Sequence, residues 1–170
     1  MIETHKQKHS PEKVQGWLTR IIGVEGGYSE DDKIGGATKW GISKKSYPHL
    51  DIFNLTIVDA EAIYRRDYLI PLRADLFEDG VAYQLLDFAV NSGPITAIKQ
   101  LQEAIGCVPD GNVGPKTRAE LSKYSEASLI MLLVAERLDF MVSLRNWSEN
   151  SRGWIRRMAN DLRYGVMDIN

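Results

Sequence analysis

The chain is poor in cysteine and histidine, the residues on which thiol, triad and zinc catalysis depend. It has one cysteine, Cys107, so an internal disulfide framework is excluded, and a single thiol fits folding in a reducing compartment. It has three histidines, and two of them, His5 and His9, fall in the polar first nine residues. Their i, i+4 spacing could hold a metal on a helix, but no third ligand lies near, and a solvated tail is the simpler expectation. His49 alone remains for a Ser-His or Cys-His pair, and it follows Pro48 in a turn-like stretch where a surface histidine is expected. A catalytic zinc usually takes two or three His or Cys ligands, so a zinc hydrolase is not expected. Gly26-Gly27 and Gly35-Gly36 match neither dinucleotide nor P-loop spacing. The longest apolar run, Leu129 to Ala135, is too short to cross a bilayer and is bracketed by charges. Met1 to Lys13 lacks the apolar segment of a signal peptide, so synthesis in the cytoplasm is expected. A net charge of −2 gives no reason to expect a nucleic-acid partner. No cofactor is expected, and any catalysis is left to carboxylates.

What is present is an ordinary core, with 44% hydrophobic and 26% charged residues in 170. Ser10-Pro11-Glu12 carries helix-start signals, and Val14, Trp17, Leu18, Ile21 and Ile22 mark one apolar face as far as residue 25. Residues 26–44 hold five of the fourteen glycines and predict turns and short strands. Thr56-x-x-Asp59 resembles a capping box, and Pro71 bars the helix after it from continuing. Further helices are expected over 79–91, from Pro94 to Gly106, from Pro115, from Ser125 to about Leu144, and at the end, where Trp154, Met158 and Leu162 should face inward. The expected fold is α+β, mostly α-helical, with a small β element after the first helix, a lysozyme-like plan.

Glu25 stands where the apolar face of the first helix calls for a hydrophobic side chain, and Gly26-Gly27 follow at once. A carboxyl at the negative end of a helix, beside an apolar stripe, should be harder to ionise. A carboxyl kept protonated near neutral pH is what a general acid needs. A hairpin in the glycine-rich stretch would fold Glu30, Asp31, Asp32, Thr38 and Trp40 back towards it. One buried acid, one ionised acid, a hydroxyl and an indole are the set that glycoside hydrolysis uses. Two of the three acids at 30–32 fit an ordinary solvated turn, and Trp40 serves either the core or a sugar face. Asp87 and Asn91, at i, i+4, could line a groove and meet sugar hydroxyls. Alternatively Asn91 satisfies a helix end and Asp87 pairs with a base.

Glu25-Gly26-Gly27-Tyr28, with Gly35-Gly36-Ala37-Thr38-Lys39-Trp40-Gly41-Ile42 after it, resembles the N-acetylmuramidase family of phage endolysins and secretion-activator proteins. Asp87-Phe88-Ala89-Val90-Asn91-Ser92-Gly93-Pro94 is similar to that family's second signature. Asp110-Gly111-Asn112-Val113-Gly114-Pro115-Lys116-Thr117 is similar to a turn of peptidoglycan-binding modules. The resemblance implies that Glu25 is the catalytic acid and that the β-1,4 bond between N-acetylmuramic acid and N-acetylglucosamine is cut. The order Glu25, Asp32, Thr38 is similar to the Glu-Asp-Thr set of phage-type lysozymes, and Tyr28, Trp40, Asp87 and Asn91 become expected substrate contacts. Lys33-Ile34 stand where the family carries Asp-Pro, so the second carboxylate stays open among Glu30, Asp31 and Asp32. The expected layout is a catalytic part over 1–92 and a helical peptidoglycan-binding part over 93–170. Peptidoglycan glycan strands are the expected partner of a monomer that inserts into no membrane and reaches the wall through another factor. A non-catalytic wall-binding protein, supported by the 110–117 turn and the arginines at 145, 152, 156, 157 and 163, and a glycosidase of chitin-like polymers are the competing readings.

Overall fold

The structure, a computed structural model, describes residues 8–22, 27–32 (31 and 32 by backbone alone) and 36–169. It divides into two packing units, residues 1–67 and 68–170.

In the first unit, helix α1 (Pro11–Ile22) is capped by Ser10, whose hydroxyl accepts the Lys13 amide at 3.3 Å. Its buried face is Val14, Trp17 and Leu18, as the periodicity requires. The expectation of a solvated tail fails at His9. That residue is 4% exposed, its ring lies 4.9 Å from the Trp17 ring, and its carbonyl accepts from Arg65 at 3.4 Å. The His9 ring packs against the Trp17 indole in the middle of α1 and helps to bury it.

Strands β1 (Ser29–Asp32), β2 (Gly36–Lys39) and β3 (Ile42–Ser43) form one antiparallel sheet in that order. The β1–β2 register shifts between Ser29 and Asp32, the mark of a bulge. The β2–β3 turn holds two residues, Trp40 and Gly41, both with positive φ (52° and 72°). That is the twist a two-residue hairpin needs. A side chain at Gly41 would also put a Cβ 2.5 Å from the Tyr64 hydroxyl. Helix α2 (Ile57–Tyr64) opens on a complete capping box, with Thr56 accepting from the Asp59 amide and Asp59 from the Thr56 amide. A π-helical turn, Arg65–Leu69, follows before Pro71.

The second unit is helical: a 3₁₀ turn (Ala74–Leu76), then α3 (Asp79–Ser92), α4 (Pro94–Ala104), α5 (Pro115–Leu121), α6 (Glu126–Val142) and α7 (Trp147–Asp168). α3 is central and buried over nearly its whole length, in contact with α4, α6 and α7. Its N-terminus is satisfied by a neighbour, because Glu126 accepts the Gly80 amide at 2.8 Å. Gly165 lets α7 approach α6, since a Cβ there would stand 2.9 Å from Ile130. The inward stripe of α7 differs from the expected one. Met158, Asp161 and Gly165 are buried while Leu162 is 41% exposed. The reason is a buried acid: Asp161 must face the arginine of α6 and so sets the rotation of the helix.

Candidate active site

Glu25 lies outside the described residues. The elements on either side of it are in place. α1 delivers the chain to residue 22, and the sheet resumes it at Ser29. Asp31 and Asp32 are placed by backbone alone, at the end of β1, and Glu30 is exposed on the same strand.

Thr38 sits at the centre of the sheet, opposite Ser29 of β1 and Ser43 of β3. Its hydroxyl donates to the Gly36 carbonyl at 3.3 Å, a long bond that leaves its acceptor lone pairs unengaged by that contact. Trp40 is half-buried, and its indole N–H donates to the Leu55 carbonyl at 3.2 Å. The indole is therefore fixed in position by the 50–55 segment. Lys39 donates to the Phe53 carbonyl at 2.8 Å and Lys44 to the Leu50 carbonyl at 2.7 Å. Three side chains of the hairpin thus hold one loop by its backbone carbonyls. Nothing in the composition of this loop signals that the hairpin tethers it.

Between hairpin and loop lies a depression of about 390 Å³, lined by Tyr28, Ala37, Lys44, His49, Asp51 and Phe53 among others. That is within the size range of ligand-binding concavities. Tyr28 and Phe53 meet edge to face, with centroids 5.2 Å apart. The Asp51 carboxyl accepts from the Asn54 side chain at 2.8 Å and from the Asn54 amide at 3.3 Å. Those bonds hold its pKa below the usual carboxylate range, so it is ionised at neutral pH.

Asp87 and Asn91 are placed differently. Asp87 is 1% exposed, with Arg137 at 2.7 Å and Arg157 at 2.8 Å on one oxygen and Arg157 on the other. Burial works to raise its pKa, but the hydrogen bonds and charges of Arg157 and Arg137 outweigh it and hold the carboxyl below its ordinary value. Any contact of Asp87 with a sugar would require displacing those guanidiniums. Asn91 donates to the Asp87 carbonyl at 2.7 Å, a local bond at the end of α3. Arg157 is correspondingly engaged in the fold, while Arg152, Arg156 and Arg163 are exposed.

The 110–117 turn closes on a residue the sequence reading did not single out, the fully buried Gln102. Its amide donates to Asp110 (2.7 Å), to the Asn112 carbonyl (3.0 Å) and to Thr117 (3.1 Å), and its oxygen accepts the Gly111 amide at 2.8 Å. Among the described residues no group of three His, Cys, Asp or Glu side chains is arranged to hold a metal.

Comparison with known proteins bears on this geometry. Residues 18–93 match the model of the family described as glycosyl hydrolase 108. The matched segment is 76 of the 170 residues. It runs from the last turns of α1 through the sheet, the tethered loop and α2 to the end of α3. No curated protein matches the sequence. The solved structure of SagA from Brucella abortus matches with a TM-score of 0.81 and 29% identity, over 95% of this chain and 98% of that one. The chain is accordingly a lysozyme-type glycoside hydrolase, and its fold is the expected α+β, lysozyme-like one.

Proposed function

We propose that this glycosidase is an N-acetylmuramidase. It cuts the β-1,4 bond between N-acetylmuramic acid and N-acetylglucosamine, with Glu25 as general acid. The observation that carries the reading is positional: Glu25 falls inside the family segment, between the buried face of α1 and the strand that leads to Thr38. In this reading Glu25 gives its proton to the leaving glycosidic oxygen. Asp32, at the end of β1, is the ionised partner that activates water or faces the oxocarbenium-like charge. Thr38 orients the water through its free lone pairs. The helical part over 93–170 holds the wall polymer during turnover.

The test is Glu25→Gln assayed on purified cell walls by release of reducing ends. A loss of about 10²–10⁴-fold in kcat with unchanged thermal unfolding is expected for removal of a general acid. Full activity would sink the assignment. Glu30→Gln, on the exposed strand, should cost far less. Binding of walls without any release of reducing ends by the unaltered protein would favour the non-catalytic reading, and faster release from chitin oligomers than from walls would favour a chitin-directed enzyme.

A further inference from the structure

We propose that the depression between the β-hairpin and the 50–55 loop is a sugar subsite in which Phe53 is the stacking platform for one N-acetylhexosamine ring. This inference rests on the reading of the protein as a peptidoglycan glycosidase and names residues that grip one ring of the glycan.

Four observations support it. First, Phe53 is 64% exposed and Tyr28 38% exposed, although both are large aromatics and lie against each other. Aromatics in contact ordinarily bury together, and a pair left open on a concave surface marks a place where something packs. Second, the platform is rigid. The Phe53 carbonyl is held by Lys39, and the carbonyls of Leu50 and Leu55 on either side are held by Lys44 and Trp40. Pre-ordering the loop lowers the entropy cost of binding. Third, Ile52 and Leu55, which flank Phe53, are buried anchors, so the loop turns Phe53 outward while its neighbours pack inward. Fourth, polar groups stand at the rim. Asp51 is ionised and acceptor-only, and His49 is exposed beside it.

A pyranose has one face of C–H groups and a rim of hydroxyls and an acetamido N–H. The C–H face fits the Phe53 ring, with Tyr28 as the side wall, and the rim donors fit the Asp51 carboxylate. The volume, about 390 Å³, suits a single ring in an open subsite.

The test uses the full chain carrying Glu25→Gln, so that ligand is not consumed, titrated with a tetrasaccharide of alternating N-acetylglucosamine and N-acetylmuramic acid. Binding is read from the aromatic resonances of Tyr28 and Phe53 and from the Kd. Shifts at both rings are expected, with a Kd about tenfold weaker after Phe53→Ala and restored by Phe53→Trp. The exposed position of Phe53 makes unfolding of these variants unexpected, and a thermal melt checks it. An unchanged Kd in Phe53→Ala, or shifts that spare both rings, overturns the subsite. In otherwise unaltered protein, Phe53→Ala should raise KM on cell walls and leave kcat within about twofold. An enzyme that binds the tetrasaccharide through Phe53 and never cleaves it would sink the muramidase reading and leave the subsite standing.

Discussion

At the scale of single residues, polar side chains are deployed in two ways. Gln102 is the inward case. It is an unremarkable helical glutamine in the sequence, yet every polar atom of its amide has a partner in the 110–117 turn. Gln102→Leu would keep the volume and leave the part-buried Gly111 amide without its acceptor, while the exposed Asp110 keeps the Asn112 amide. A loss of about 1–3 kcal/mol is expected, the cost of leaving buried polar groups unsatisfied. Urea unfolding measures it, and a change below ~0.5 kcal/mol would show that water replaces the amide. Thr38 and Glu30 belong to the outward case, half-buried and exposed respectively on the sheet. Glu25 stands out in the sequence because one carboxyl interrupts an apolar period. Gln102 does not, because its partners come from a turn eight to fifteen residues further on.

Among the elements, the β2–β3 hairpin combines backbone strain with functional consequence. Trp40 at φ 52° is a bulky residue in a region that favours glycine or asparagine. It stays there because its indole is tied to Leu55 and its carbonyl accepts from Tyr64 at 3.4 Å. Gly41→Ala should destabilise by about 1–3 kcal/mol from backbone strain alone. The clash with the Tyr64 hydroxyl adds to that. The check is a thermal melt together with wall hydrolysis, and activity should fall further than stability because the hairpin positions both Thr38 and the Phe53 loop. Equal stability of Gly41→Ala and the unaltered protein would remove the close-approach argument. The glycine run made turns and short strands predictable here. The tether of the 50–55 loop was not, since it consists of side-chain bonds to backbone carbonyls that any sequence would offer.

Across the molecule, the largest electrostatic feature is the buried cluster that ties three helices of the second unit together. Asp87 on α3, Arg137 on α6, and Arg157 and Asp161 on α7 share it. Tyr83 donates to Asp161 at 3.2 Å, and Arg137 lies 4.8 Å above the Phe88 ring. Burial, then the neighbouring Asp87 carboxylate, push the Asp161 pKa up to about 7. The folded protein therefore binds that proton more tightly than the unfolded chain does. Its contribution to stability is fully present below the unfolded value near 3.8 and declines as pH rises from there towards 7, with a slope of at most about 1.4 kcal/mol per pH unit. Asp87 acts in the opposite sense, because its lowered pKa makes its stabilisation disappear only in strong acid. In Asp161→Asn the decline should vanish, so unfolding curves at pH 4.5 and 7 should show the variant gaining on the unaltered protein at the higher pH. Parallel curves would mean that Asp161 ionises normally. Arg137→Met should cost about 3–5 kcal/mol at neutral pH by leaving Asp87 and Asp161 underpaired in the interior.

The sequence by itself determined the helix set, the position of the sheet, the capping box at Thr56 and the family signature around Glu25. These depend on local periodicity, on glycine and proline chemistry, and on residues close together in the chain. Only the tertiary structure decided that Asp87 faces two arginines fifty and seventy residues away, that α7 is rotated to bury Asp161 and expose Leu162, and that His9 covers Trp17. It also decided that three hairpin side chains reach across to hold Phe53 at the edge of a depression. Those outcomes depend on which groups compete for the same buried partner. Packing settles that competition, because a buried charge must find its counter-charge wherever the chain brings one within reach.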